Sequence, residues 1–258
     1  ARLTAAGFAP IGIGDDWSAV PTSGFVVVGG ALVAWHVPDR AGPGAPFRLV
    51  GAHTDSPTLR IKPHPDTQRV GWHQLNVEVY GGILNNSWLD RDLGVAGRVT
   101  LADGTHRLVN VARPVARVPQ LAVHLDRGVN DGLALNPQDH LRPVWGTAAG
   151  GGAGVGFADW IAAEAGVAGP AEFWELSLYD VTPAALLGVD ASLLASGRLD
   201  NQVSCWAAVT ALAAGAGDAS SQHVSVVVLN DHEEVGSAST TGAAGPLLER
   251  VLERLVLA

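Results

Sequence analysis

Methionine is absent from this chain of 258 residues, and cysteine occurs once, at Cys205. A single thiol excludes an internal disulfide framework, so a reducing compartment is expected, with the cytoplasm as the location. Positive charge is scarce as well. Lys62 is the sole lysine beside fifteen arginines, against 25 acidic residues, which leaves a formal net charge of −9. That balance argues against gripping a phosphate backbone, so nucleic acid is not an expected partner. No uninterrupted apolar run is long enough to cross a bilayer and no signal peptide opens the chain, so no membrane partner is expected.

What is present is enough apolar material, 47% of residues, for a sizeable core. Both ends read as cut from something longer. Ala1 to Gly7 looks like the tail of a helix closed by a glycine, and Leu247, Leu248, Val251, Leu252 and Leu255 keep helical spacing through to Ala258. Between them, 25–28 and 31–37 read as strands joined at Gly29-Gly30, and 47–52, 75–80, 173–179 and 224–229 read as further strands. The stretch 94–118 alternates apolar and polar residues as antiparallel strands do. Helical spacing marks 156–165 and 201–214, while 121–145 is rich in turn signals and 147–154 is a Gly/Ala-rich loop. The glycines at 150–156 lack the Lys-Ser/Thr ending of a phosphate loop. The expected fold is α/β: a mixed sheet flanked by helices over 1–91 and 173–258, interrupted by a β-rich insertion over 92–172.

Chemistry concentrates where strands end. After the apolar run 224–229 comes Asn230-Asp231-His232-Glu233-Glu234-Val235-Gly236. On extended backbone, neighbouring acids point to opposite sides, so one can bind a cation while the other holds a water; an acidic loop tip is the plain alternative. His53-Thr54-Asp55 ends the strand 47–52, and ligands gather at the carboxyl ends of strands in α/β sheets. An imidazole there can bind a metal while a carboxylate two residues on holds its other nitrogen. Asp200 precedes a helix, where it either caps the helix or bridges two cations through its two oxygens. Together His53, Asp200 and Glu234 form a nitrogen/oxygen ligand set suited to zinc, cobalt or manganese, with Glu233 as general base. Lys62 is read as half of a surface pair, Cys205 as packed, and His140 as either stabilising a turn or catalytic.

The motifs together resemble the aspartyl aminopeptidase family. Gly51-Ala52-His53-Thr54-Asp55-Ser56-Pro57 with Leu59-Arg60-Ile61-Lys62-Pro63 is similar to its first motif; Tyr80-Gly81-Gly82, Trp88 to Leu93 and Ala96 to Val99 are similar to the second. His124-Leu125 and Leu135 to Leu141 resemble its inserted domain, and Arg198-Leu199-Asp200-Asn201 and Glu233 to Ser237 resemble the third and fourth motifs. The resemblance implies a zinc-exopeptidase-like fold and a two-zinc aminopeptidase that removes an unblocked, preferably acidic, N-terminal residue from peptides. It implies His53 and Glu234 as ligands, Asp200 bridging the metals, Asp55 orienting a ligand, Glu233 as base, and His124 reaching a neighbouring subunit's active site. It further implies a homo-oligomer, dimers building to a dodecamer, and a further Asp and a late His ligand that match no residue here. A related two-metal deacylase or carboxypeptidase, or a non-catalytic homologue acting in assembly, are the alternatives.

Overall fold

The computed structural model of the chain describes residues 1–148, 155–169, 171–218 and 220–257. It divides into two units, Ala1–Ser56 with Arg198–Ala258, and Pro57–Gly197. Each has its own sheet and core, and the architecture is the expected mixed α/β.

The first unit is built on a five-stranded mixed sheet, in the order Ala9–Pro10, Ser23–Val28, Ala31–His36, Val224–Asn230, Phe47–His53. Strand period two decides what its central strand buries. Val224, Val226 and Val228 pack with Trp17, Val33, Trp35 and the helix Leu247–Leu257 on one face. Val227 and Leu229 pack with Leu3, Phe8 and the helix Leu199–Gly215 on the other. Each such side chain contributes about 1.5–3 kcal/mol when fully buried. The terminal helix fits through Leu247 and Val251, one turn apart and both buried. The opening helix, Arg2–Ala5, closes as its glycine suggests. Gly7 takes φ +85°, its N–H reaches Thr4 O, and Phe8 N–H reaches Leu3 O, while Phe8 and Leu3 share a core.

Two pairings position the site. The hairpin through Gly29-Gly30 forms as expected, and Ala31–His36 runs antiparallel to Val224–Asn230. The strand Phe47–His53 then runs parallel to Val224–Asn230 with Asn230 opposite His53. Two strand ends from opposite parts of the chain therefore finish side by side.

The second unit contains a six-stranded antiparallel sheet, ordered His106–Ala116, Leu93–Thr100, Phe173–Asp180, Thr58–Arg69, Trp72–Tyr80, Val144–Thr147. Its core gathers Leu59, Leu75, Leu93, Leu176 and Leu178 with Phe157 and Ile161 of the helix Phe157–Glu164. This unit extends past the expected insertion 92–172 at both ends, because Thr58–Arg69 and Phe173–Asp180 pair with its strands. Thr58–Arg69 is a strand not anticipated from the sequence. Pro63 and Pro65 sit where its register shifts, between Ile61 and Asp66, so they interrupt the ladder only where it is already irregular. The expected loop 147–154 lies, from residue 149 on, outside the described residues.

One glycine in this sheet has a measurable role. A Cβ on Gly97, at φ +149°, would lie 2.0 Å from Glu175 O across the strand pair. Gly97→Ala is expected to destabilise the chain by about 1–3 kcal/mol, read as a lowered chemical-denaturation midpoint at unchanged slope. An unchanged midpoint would show that the pair Leu93–Thr100 and Phe173–Asp180 is not this close.

Candidate metal centre

His53 is the last residue of its strand, and its side chain is 12% exposed. Its Nδ1 lies 3.1 Å from Asp55 O and 3.3 Å from Asp55 Oδ1. A carbonyl can only accept, so the proton is assigned to Nδ1, which directs the Nε2 lone pair away from Asp55. Nε2 faces Asp200 Oδ1 at 3.2 Å and Glu233 Oε2 at 3.9 Å. One ring nitrogen is thus held by an acid of its own turn, and the other points at acids brought from elsewhere in the chain.

Those acids arrive by two routes. The strand Val224–Asn230 ends beside His53, and the backbone turns sharply at His232, φ +60°, into the 3-10 turn Glu233–Val235. Here the expectation from extended backbone is corrected. Glu233 and Glu234 do not alternate across a strand but follow each other round a turn of about three residues. Both reach the same place: ligand atoms of His53, Glu233 and Glu234 lie within 4.8 Å of one another. The turn is tied down through Asp55, whose Oδ1 and Oδ2 accept from the N–H groups of Glu233 and Glu234 at 3.2 and 3.1 Å. Ser239 Oγ at 2.8 Å from His232 Nδ1 holds its far side.

Asp200 comes from the start of the helix Leu199–Gly215. No side-chain capping bond forms at this helix start among the described residues; Gln202 N–H reaches Arg198 O, and the Asp200 carboxylate faces His53. Its side chain is 85% exposed, so a bound group is accessible from solvent.

The electrostatics favour a cation. Burial pushes the Glu234 carboxyl above its ordinary pKa, and the negative charges of Glu233, Asp55 and Asp200 push it further, with His53 pulling the other way. Burial opposes charge on His53, but the Asp55 carbonyl and the carboxylates of Glu233, Asp55 and Asp200 outweigh it and raise its pKa. A carboxyl crowded by other acids and holding its proton more tightly than usual, as Glu234 does, is what a divalent cation would relieve. One imidazole nitrogen with several carboxylate oxygens matches zinc chemistry without a thiolate. Cys205 is not among the ligand atoms: burial keeps its thiol pKa up, and Sγ donates to His53 O at 3.0 Å.

The remaining candidates are placed as follows. His124 is exposed on a turn in the second unit. Lys62 donates to Gln138 at 2.6 Å and pairs with Glu78 at 3.3 Å. His140 Nδ1 accepts from Asn136 N–H at 2.9 Å, closing its own turn. Two contacts escaped sequence reasoning. Thr54 Oγ1 donates to Gly30 O, and Gln202 Nε2 donates to Thr54 O, each at 2.8 Å. The one signal for Gln202 was its place one helical turn before Cys205, at the start of the helix that follows Asp200.

A family model described as aminopeptidase I zinc metalloprotease (M18) matches residues 1–258. A Streptomyces avermitilis protein described as probable M18 family aminopeptidase 2 is 53% identical over 263 residues, covering 100% of this chain and 60% of that protein. Among solved structures, Chaetomium thermophilum mApe1 is 32% identical with TM-score 0.87, over 99% of this chain and 62% of that one. The Saccharomyces cerevisiae mApe1 dodecamer is 27% identical with TM-score 0.81, over 98% and 60%. The chain spans about 60% of the length of the curated relatives it matches.

Proposed function

The chain belongs to the M18 family of aminopeptidase I zinc metalloproteases, and from that premise we propose that it carries the metal centre of an aminopeptidase acting on peptides with a free N-terminus. The observation that carries this reading is the division of labour at His53, Nδ1 to Asp55 and Nε2 towards Asp200 and Glu233, with Glu234 in reach. In the proposed site His53 and Glu234 would serve as zinc ligands, and the Asp200 carboxylate would be shared between two zincs. Zinc bound there supplies Lewis acidity, polarising the scissile carbonyl and acidifying the attacking water. Asp55 keeps the His53 ring oriented through Nδ1 and keeps the Glu233–Glu234 turn in place through its two backbone contacts. Glu233 takes the proton from the attacking water and passes it to the nitrogen of the departing peptide as the amide bond breaks. The carbonyl carbon gains the water oxygen, and the products are a free amino acid and a peptide with a new amino terminus.

A preference for acidic N-terminal residues, a homo-oligomer in which His124 serves a neighbouring site, and a cytoplasmic location complete the proposal. The dodecamer of the yeast protein supports the assembly. No helix among the described residues is long and apolar enough to cross a membrane.

The test is metal analysis joined to hydrolysis. The protein carrying this chain is expected to retain zinc through gel filtration and to release the chromophore from unblocked aspartyl and glutamyl anilides. It should leave the N-acetylated forms intact and lose activity to a chelator, regaining it with zinc. Hydrolysis of the acetylated forms would replace the aminopeptidase reading with a deacylase. Less than one zinc per chain together with chelator-insensitive activity would end it.

A further inference from the structure

The helix that brings Asp200 to the site also grips the backbone next to His53. Gln202 Nε2 donates to Thr54 O at 2.8 Å, and Cys205 Sγ donates to His53 O at 3.0 Å. The two residues are i and i+3, so they share one face of the helix and meet two successive carbonyls of the extended chain. From the opposite side the sheet holds the same segment: Thr54 N–H donates to Asn230 O at 2.8 Å, and Thr54 Oγ1 reaches Asn230 O at 3.2 Å. The His53 backbone is therefore fixed between the strand that leads to Glu233 and the helix that follows Asp200. The remaining bond between the segment and that helix start, Ser56 Oγ to Asp200 O, is 3.5 Å long and weak.

We infer that Gln202 and Cys205 are positioning residues that set the spacing between His53 and Asp200, and through it metal affinity, without touching the metal. This rests on the reading that His53 and Asp200 act at one metal centre. The two donors point at backbone oxygens, not at the carboxylates, and so add no charge to a crowded site. They act as a strut: releasing either lets His53 Nε2 and Asp200 Oδ1, now 3.2 Å apart, drift relative to each other. Partners bonded directly to a ligand side chain typically account for about 10–100-fold in metal affinity, and a strut on the ligand's backbone is expected at the lower end of that range.

The test uses three variants of the whole chain. Gln202→Leu and Cys205→Val remove a donor at similar volume, and Cys205→Ser restores one. Zinc affinity is measured by competition with a chromophoric chelator, and amide exchange is followed in the metal-free protein. Gln202→Leu and Cys205→Val are each expected to weaken zinc about tenfold or more, with Cys205→Ser close to the parent. Thr54 amide exchange should rise about three- to tenfold in the first two variants, with Val226 to Leu229 unchanged. Parental zinc affinity in both donor-deleted variants would overturn the inference. So would faster exchange spread evenly across the sheet, which marks a merely structural role. If the parent itself binds no zinc, the proposed function falls, and the Thr54 exchange still decides whether Gln202 and Cys205 hold this turn.

Discussion

Glu233→Gln is expected to keep zinc bound and to lower turnover about 10²–10⁴-fold, the usual contribution of a general base. The geometry separates Glu233 from its neighbours. Asp200 Oδ1 is 3.2 Å from His53 Nε2, but Glu233 Oε2 stands off at 3.9 Å, and its side chain is 54% exposed. A group set back from the donor nitrogen and open to solvent has room to share a proton with a water at the centre. Glutamine keeps the shape of the side chain and the backbone N–H that reaches Asp55, so the turn should survive while the basic oxygen is lost. The measurement is kcat with zinc content determined on the same sample. Near-normal kcat with zinc bound would remove Glu233 as the base. Zinc loss with kcat falling in proportion would make it a ligand instead.

The sequence carried the parts of this site more clearly than their assembly. The short apolar, β-branched run 224–229 and the Gly29-Gly30 hairpin mark strands by local rules, and both form where expected. The candidate ligand types could be read because His and paired acids at strand ends are chemically costly without a cation. The parallel pairing that sets Asn230 beside His53 could not be read, because parallel partners lie far apart in sequence and leave no turn between them. Nor could the 3-10 turn at Glu233–Val235, which depends on His232 entering the left-handed region. Asp200 reads as a helix cap as easily as a candidate ligand because both roles use the same residue type, and its oxygen facing His53 depends on the fold. Thr58–Arg69 stayed hidden because prolines normally exclude a strand, and the register shift that admits them here is a property of the pair, not of either segment.

Glu234→Gln is expected to move stability in opposite directions with and without metal. In the metal-free chain Glu234 sits among Glu233, Asp55 and Asp200, and burial together with these charges raises its pKa. The pKa of His53 is raised as well. A group that binds its proton more tightly folded than unfolded adds stability at low pH, and that stability is lost as pH rises through the folded-state value. Glu234 therefore makes the metal-free chain less stable as pH climbs from the ordinary carboxylate range, about 4.3 for Glu, through its raised value, and His53 does the same from the ordinary imidazole range, about 6.5, upward. Glutamine removes one of these charges. In EDTA, the variant should melt at the same temperature as the parent at low pH, where position 234 is neutral in both, and higher than the parent at pH 8. Zinc reverses the order, because the parent gains about 2.7 kcal/mol at a hundredfold excess of zinc over its dissociation constant while the variant has lost a ligand. Melting curves with EDTA or zinc across this pH range make the comparison. A metal-free variant no more stable than the parent at pH 8 would mean that the carboxylates around His53 do not crowd one another. The electrostatic case for a cation would then fail, leaving only the arrangement of the ring nitrogens.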